Sequence, residues 1–104
     1  MTVDEYTAET GISLLRIEGG YDDCAVGVDE AHGRLVYDAD QIVARIAARD
    51  QISDDEAWEY FRYNIESAYF GTHTPVYIKV IKFVRPPVVA PVDEVQDVVD
   101  NGQG

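Results

Sequence analysis

The chain has 104 residues, of which 46% are hydrophobic, so length and composition predict one globular domain with a single core. Its 20 acidic residues against 8 basic ones give a formal net charge of −12. This charge disfavours direct binding to DNA, RNA or an anionic membrane, and it favours a basic protein surface as the partner.

The N-terminal third predicts a β-hairpin after an ambiguous beginning. Residues 1–10 are polar and acidic, and an apolar group at 12–17 fits either a short helix or a strand. Residues 24–28 and 34–37 then predict two strands joined by a turn, at a spacing typical of a hairpin. Gly27 within the first strand indicates a bulge or a close approach of the backbone.

A first helix is predicted immediately after the hairpin. Asp38 is placed to cap its N-terminus, and Gln41 follows three residues later. Apolar residues then recur at helical spacing, at Ile42, Val43, Ile46 and Ala47. The helix should end near Arg49 and Asp50, where a basic side chain suits the negative end of the helix dipole.

The second predicted helix has the sharpest local signal in the chain. Ser53 and Glu56 match a capping box, in which each side chain satisfies a backbone donor of the first turn. One helical face is apolar and contains Ala57, Trp58, Phe61, Ile65, Ala68 and Tyr69. We expect this helix to run to about Phe70 and to stop at Gly71.

A last strand is predicted over residues 76–84, which are β-branched and aromatic and follow Pro75. The expected fold is α+β, with a small antiparallel sheet of about three strands packed against two helices. We expect a single domain over residues 1–85. Prolines then end the strand, and the acidic residues 86–104 indicate a flexible tail.

One set of residues, spread over 21–77, forms a pattern beyond these elements. It comprises Tyr21-Asp22-Asp23, Ala25-Val26-Gly27-Val28, Val36-Tyr37-Asp38, Asp55-Glu56-Ala57, Glu59-Tyr60-Phe61, Asn64-Ile65, Ala68-Tyr69, Gly71 and Thr74-Pro75. The pattern resembles small acidic proteins encoded by phages and prophages, although Cys24 stands where an alanine is expected. The resemblance implies a phage or mobile-element setting. By analogy of size and charge with acidic inhibitors of host defences, such as anti-CRISPR and anti-restriction proteins, it favours occupation of a nucleic-acid-binding groove.

The acidic residues concentrate before the last strand, since residues 1–66 contain 16 of the 20. Candidate carboxylates for a nucleic-acid-like surface are Asp22, Asp23, Asp29, Glu30, Asp54, Asp55, Glu59 and Glu66. On a continuous helix, Asp55, Glu59 and Glu66 fall on one face at axial spacings of about 6 to 10 Å, comparable to the separation of phosphates.

Tyrosines add to this predicted surface. Helical spacing points Trp58, Phe61 and Tyr69 inward and leaves Tyr60 and Tyr63 at least partly exposed, which suits a protein interface. The alternative is that both tyrosines pack beneath the tail or the first segment. The predicted partner-binding residues are Asp54, Asp55, Glu59, Tyr60, Tyr63 and Glu66.

A different interpretation of the acidity is that it serves only solubility, or reflects salt adaptation or coding bias. The chain would then be a structural or self-associating accessory protein. A homodimer would bury either residues 76–84, an exposed edge strand, or the tyrosine-bearing helix face.

Candidates for catalysis and metal binding are few. Cys24 fits a small core residue better than a nucleophile, and His32 and His73 each stand alone in a loop. No His or Cys pair has the spacing of metal ligands, and a cation site would require three aspartates to converge, Asp22, Asp23 and Asp38. We therefore expect no enzymatic activity, no cofactor and no metal.

Cytoplasm of the host cell is the expected location. The N-terminal residues lack the basic region and apolar run of a secretion signal, and the single cysteine cannot form an intramolecular disulfide. No apolar stretch approaches the length of a membrane span.

Overall fold

The computed structural model describes residues 1–84, and the tail predicted at 86–104 lies outside them. The described part contains three α-helices and a three-stranded sheet, which confirms the α+β class. The elements are α1 (Val3–Thr10), β1 (Ala25–Asp29), β2 (Arg34–Asp38), α2 (Ala39–Asp50), α3 (Asp54–Phe61) and β3 (Val76–Ile78). A 3₁₀ turn, Asp22–Cys24, precedes β1, and a π-helical turn, Arg62–Glu66, follows α3.

The sheet has the strand order β1-β2-β3 and is mixed, so the prediction of a purely antiparallel sheet was wrong. β1 and β2 form the predicted antiparallel hairpin, with a register shift between Ala25 and Gly27 that confirms the bulge. β3 pairs with β2 in parallel, with Val76 opposite Val36. Because α2 and α3 separate β2 from β3, the chain crosses over and returns in the same direction.

Helix α2 follows its prediction closely. The Asp38 carboxylate accepts a hydrogen bond from the backbone N–H of Gln41 at 3.3 Å and so caps the first turn. Its apolar face is buried, with Ala39, Ile42, Val43 and Ile46. The helix ends at Asp50, and Gln51 adopts a left-handed conformation with φ of 55°.

Helix α3 begins as predicted and ends earlier than predicted. Ser53 and Glu56 form both hydrogen bonds of the capping box. Regular α-helix stops at Phe61, the backbone widens into the π turn, and helical winding ends at Glu66 rather than near Phe70. Gly71 is therefore not the helix stop, although its φ of 98° places it in a turn before β3.

Side-chain hydrogen bonds explain the early end of this helix. The Asn64 amide donates to the Tyr60 carbonyl at 3.0 Å, and the Ser67 hydroxyl donates to the Tyr63 carbonyl at 2.7 Å. These bonds occupy carbonyls that would otherwise accept backbone N–H groups, and such competition bends or ends helices. Tyr69 lies beyond the helix and is 76% exposed, so its predicted inward orientation was wrong.

The N-terminal segment forms a helix that the sequence did not predict. Thr2 and Glu5 make a capping box at the start of α1, and the Tyr6 hydroxyl donates to the Glu30 carboxylate at 2.6 Å. The apolar group at 12–17 is neither helix nor strand. It nevertheless contacts the core, because the backbone N–H of Ile17 donates to the Tyr37 hydroxyl at 3.2 Å.

The core lies between the sheet and helices α2 and α3. Its largest fully buried side chains are Tyr37, Phe61, Leu35, Ile42, Ile46 and Cys24. The Phe61 ring meets Tyr77 and Trp58 edge-on, at centroid distances of 5.3 and 5.7 Å. Tyr77 also stacks on Tyr37 at 5.8 Å, so aromatic rings join α3 to the sheet.

Replacing Ser53 with alanine is expected to lower the free energy of unfolding by about 1 kcal/mol, because the capping-box hydroxyl is lost from α3. Urea denaturation followed by circular dichroism measures the change. The matched control is Ser13→Ala, at an exposed serine outside any helix or strand. Equal stability of the two variants would contradict a stabilising cap at Ser53.

Candidate partner-binding surface

The exposed side of α3 and of the π turn carries all the predicted partner-binding residues. We call this set the α3 surface: Asp54, Asp55, Glu59, Tyr60, Tyr63 and Glu66. All six side chains are exposed, and Tyr63 is the most open of the tyrosines at 83%. Within residues 1–84 the two tyrosines are exposed, as their helical spacing predicted, and the alternative of packing beneath the tail involves residues outside the described part of the chain.

Carboxylates near the 3₁₀ turn are bonded to arginines of the same chain. Arg16 donates to Asp4 at 2.6 Å and to Asp22 at 2.7 Å. Arg45 makes a two-pronged contact with Asp23, with both N–O distances at 2.7 Å. The hydrogen bond and charge of Arg45 hold the pKa of the Asp23 carboxyl below its usual value.

The hairpin carboxylates are also engaged within the chain. The Asp29 carboxylate contacts His32 at 2.9 Å and Arg34 at 3.1 Å. These hydrogen bonds lower the pKa of the Asp29 carboxyl, and the bond with His32 has the larger effect. Glu30 accepts the hydroxyl of Tyr6. The sequence predicted a recognition surface that included Asp22, Asp23, Asp29 and Glu30. The structure instead places these four carboxylates in contacts within the chain.

The carboxylates of the α3 surface have a different environment. Within residues 1–84, Asp54, Asp55, Glu59 and Glu66 make no ion pair. The arginines around α3 lie over aromatic rings: Arg62 over Trp58 at 5.3 Å, and Arg49 over Tyr60 at 5.6 Å. Arg49 also bonds Asp50. The α3 carboxylates therefore keep their negative charge unpaired in the described part of the chain.

The π turn changes the geometry that the sequence predicted for this surface. Asp55 and Glu59 are four residues apart in regular α-helix, so they are neighbours on one face. Glu66 lies at the end of the π turn, where the wider winding alters its angle about the axis relative to a continuous α-helix. The straight line of three carboxylates becomes a pair, with Glu66 set apart from it.

The residues considered in the sequence for catalysis or metal binding each have a different environment in the structure. Cys24 is fully buried, and desolvation raises the pKa of its thiol, which keeps it protonated in the core. A ring nitrogen of His73 lies 3.1 Å from the carbonyl oxygen of His32, and both histidines are exposed. Asp38 caps α2, whereas Asp22 and Asp23 bond arginines.

Residues 1–84 contain no group of three or more His, Cys, Asp or Glu side chains arranged to hold a metal ion. None of the helices in this part of the chain has the length and apolar character needed to cross a membrane.

Comparison with known proteins gives no family for this chain. No protein-family model matches it. Neither the curated proteins nor the solved structures contain a match to it. The resemblance to phage proteins therefore stays a prediction.

Proposed function

We propose that the chain is a non-enzymatic binding protein of a phage or mobile element, acting in the host cytoplasm. Its α3 surface would occupy a basic groove of a host protein that handles nucleic acid or serves in defence. One observation carries this proposal: the α3 carboxylates make no ion pair within residues 1–84, whereas Asp22, Asp23 and Asp29 bond arginines of the same chain.

The physical basis of this proposal is unpaired negative charge carried by a helix that is packed against the core. Asp55 and Glu59 are separated by one helical turn, about 6 Å along the axis, which is close to the spacing of phosphates. The capping box and the buried side of α3 fix that helix against the core. Exposed Tyr60 and Tyr63 add large contact area of the type that dominates binding energy at protein interfaces.

Reversing two of these charges is expected to abolish capture of the partner. In the variant Glu59→Lys/Glu66→Lys, a basic groove would meet like charge, which costs several kcal/mol at an interface. The measurement is affinity capture from host lysate at low and moderate salt, with identification of the bound proteins. Wild-type protein should capture a nucleic-acid-binding protein that salt releases and that added duplex DNA displaces.

The matched control is Glu9→Lys/Glu18→Lys. Both glutamates are exposed and make no ion pair within residues 1–84, and the net charge changes by the same amount as in the test variant. Capture should survive in this control. Equal loss of capture in both variants would mean that net charge alone drives binding, and capture that DNA does not displace would overturn occupation of a nucleic-acid groove.

A second candidate function is a structural or self-associating accessory protein whose acidity serves solubility. The observation in its favour is the exposed apolar segment after β3, where Phe83 is 82% exposed. Such association should withstand high salt, which distinguishes it from charge-driven capture by the α3 surface.

A further inference from the structure

The segment that leaves β3 is only partly used by the fold. Residues 76–84 were predicted as one strand, but pairing with β2 stops at Ile78. We call residues 79–84 the C-terminal arm. β3 is the last strand in the sheet order, so its outer backbone groups have no neighbouring strand within residues 1–84.

The arm has the composition of a strand that is covered on both faces. Extended as a strand, it places Ile81 and Phe83 on one face and Val80 and Val84 on the other. All four side chains are exposed, as is Ile78 at the end of β3. β-Branched and aromatic residues on both faces are typical of strands buried on both sides, and here, interrupted by two lysines, they face solvent in the described part of the chain.

The charge of this region also differs from the rest of the chain. No Asp or Glu occurs between Glu66 and Asp93, whereas the chain as a whole carries a net charge of −12. The arm contains the two lysines of the sequence, Lys79 and Lys82. Two copies of so acidic a chain repel each other over most of their surfaces, and this edge, where Lys79 forms an ion pair with Asp40 of the same chain at 3.0 Å, is where they can approach closely.

We propose that a second copy of the chain pairs with this edge. The two arms would run antiparallel about a twofold axis and join the two three-stranded sheets into one continuous sheet. A register centred on Ile81 places Lys79 opposite Phe83 of the other copy. In the same register Lys82 lies opposite Val80, so no two lysines are directly opposed.

Pairing of this kind satisfies two requirements at once. The backbone N–H and C=O groups of the arm gain partners, and the apolar side chains on either face gain neighbours from the second copy. Self-association by this edge rests on the second candidate function and does not involve the α3 surface, so it and the binding of a basic partner are separate properties with separate tests.

The first test is the mass in solution of the full chain, measured by sedimentation equilibrium over a range of concentrations. We expect a monomer–dimer equilibrium between 11.6 kDa and twice that mass. Raising the salt concentration should strengthen the dimer, because it screens repulsion between two acidic copies. A chain that stays monomeric at every concentration would overturn the proposal.

A matched pair of variants locates the contact. Ile81→Glu puts a charge at the twofold axis, where the substituted side chains of the two copies are directly opposed, and should raise the dimer dissociation constant by more than about tenfold. Val26→Glu is the control: Val26 is 47% exposed on β1, at the opposite edge of the sheet, and Ile81 is 55% exposed. Weakening of the dimer to the same extent by both variants would remove the arm as the contact.

Hydrogen exchange distinguishes a second copy from coverage by residues 85–104 of the same chain. Amides of the arm should exchange more slowly as protein concentration rises, since pairing between copies depends on concentration. Protection that does not change with concentration would assign the edge to the chain's own C-terminal residues and refute the second copy. Rapid exchange at all concentrations would refute it as well.

Discussion

Replacing Phe61 with alanine is expected to lower the free energy of unfolding by about 3–5 kcal/mol. The side chain is fully buried and lies where α3 meets the sheet. Its ring contacts Tyr77 of β3 and Trp58 of α3 edge-on, so truncation leaves a cavity and removes two aromatic contacts. Small domains have unfolding free energies of about 5–15 kcal/mol, so this single change removes a large share of the stability.

Urea denaturation monitored by circular dichroism and by Trp58 fluorescence gives the measurement for Phe61→Ala. The control is Tyr63→Ala, two residues further along, where the ring is 83% exposed and truncation should change stability by less than about 0.5 kcal/mol. Similar small losses in both variants would mean that α3 does not pack through Phe61 as described. A shifted midpoint with unchanged slope would show a loss of stability without a change of compactness.

The parts of the fold that the sequence predicted correctly are those fixed by neighbouring residues. Asp38 with Gln41, and Ser53 with Glu56, mark helix starts within three positions of the chain, and both caps form. Gly27 signals its bulge in the same local manner. Thr2 and Glu5 carry the same type of signal for α1, so this helix could have been predicted from its capping box.

The parts of the fold that were predicted incorrectly depend on competition between hydrogen bonds or on residues that are distant in the sequence. The end of α3 is decided by side-chain bonds from Asn64 and Ser67 to backbone carbonyls, which helical periodicity does not register. The direction of β3 is decided by the crossover through α2 and α3, because local β-propensity is the same for parallel and antiparallel pairing.

The same division applies to the candidate surface. Exposure of Tyr60 and Tyr63 follows from helical spacing, and the structure agrees. The state of the carboxylates does not follow from sequence, because the ion pair between Arg45 and Asp23 joins residues 22 positions apart. Eight candidate carboxylates were therefore equivalent in the sequence, and only folding separates the paired acids from those of the α3 surface.

Tyr77 should make the stability of the chain fall at alkaline pH. Its hydroxyl is buried without a hydrogen-bond partner among residues 1–84, and burial, together with the charges of Tyr37 and Glu66, raises its pKa to about 12. The pKa of tyrosine in the unfolded chain is about 10. The folded state therefore favours the protonated phenol, and its full contribution is present below about pH 10 and is lost as pH rises toward 12.

The variant Tyr77→Phe tests this linkage, since it keeps the ring contacts and removes the titrating hydroxyl. At neutral pH it should match or exceed wild-type stability by about 1 kcal/mol, because an unpartnered buried hydroxyl costs desolvation. Between pH 10 and 12 its unfolding free energy should decline less than that of wild type. Urea denaturation across this range, with tyrosinate absorbance as a second signal, measures both effects.

Tyr37→Phe is the matched control, because Tyr37 is equally part of the stacked pair but accepts a hydrogen bond from the backbone N–H of Ile17. Loss of the Tyr37 hydroxyl should lower the free energy of unfolding at neutral pH by about 1–2 kcal/mol, since the backbone N–H of Ile17 is left without its acceptor. At neutral pH, therefore, only the Tyr37→Phe variant is expected to be less stable than wild type. If both destabilised the chain equally, the Tyr77 hydroxyl would have to donate a hydrogen bond in solution, and the gain in stability expected for Tyr77→Phe would be refuted.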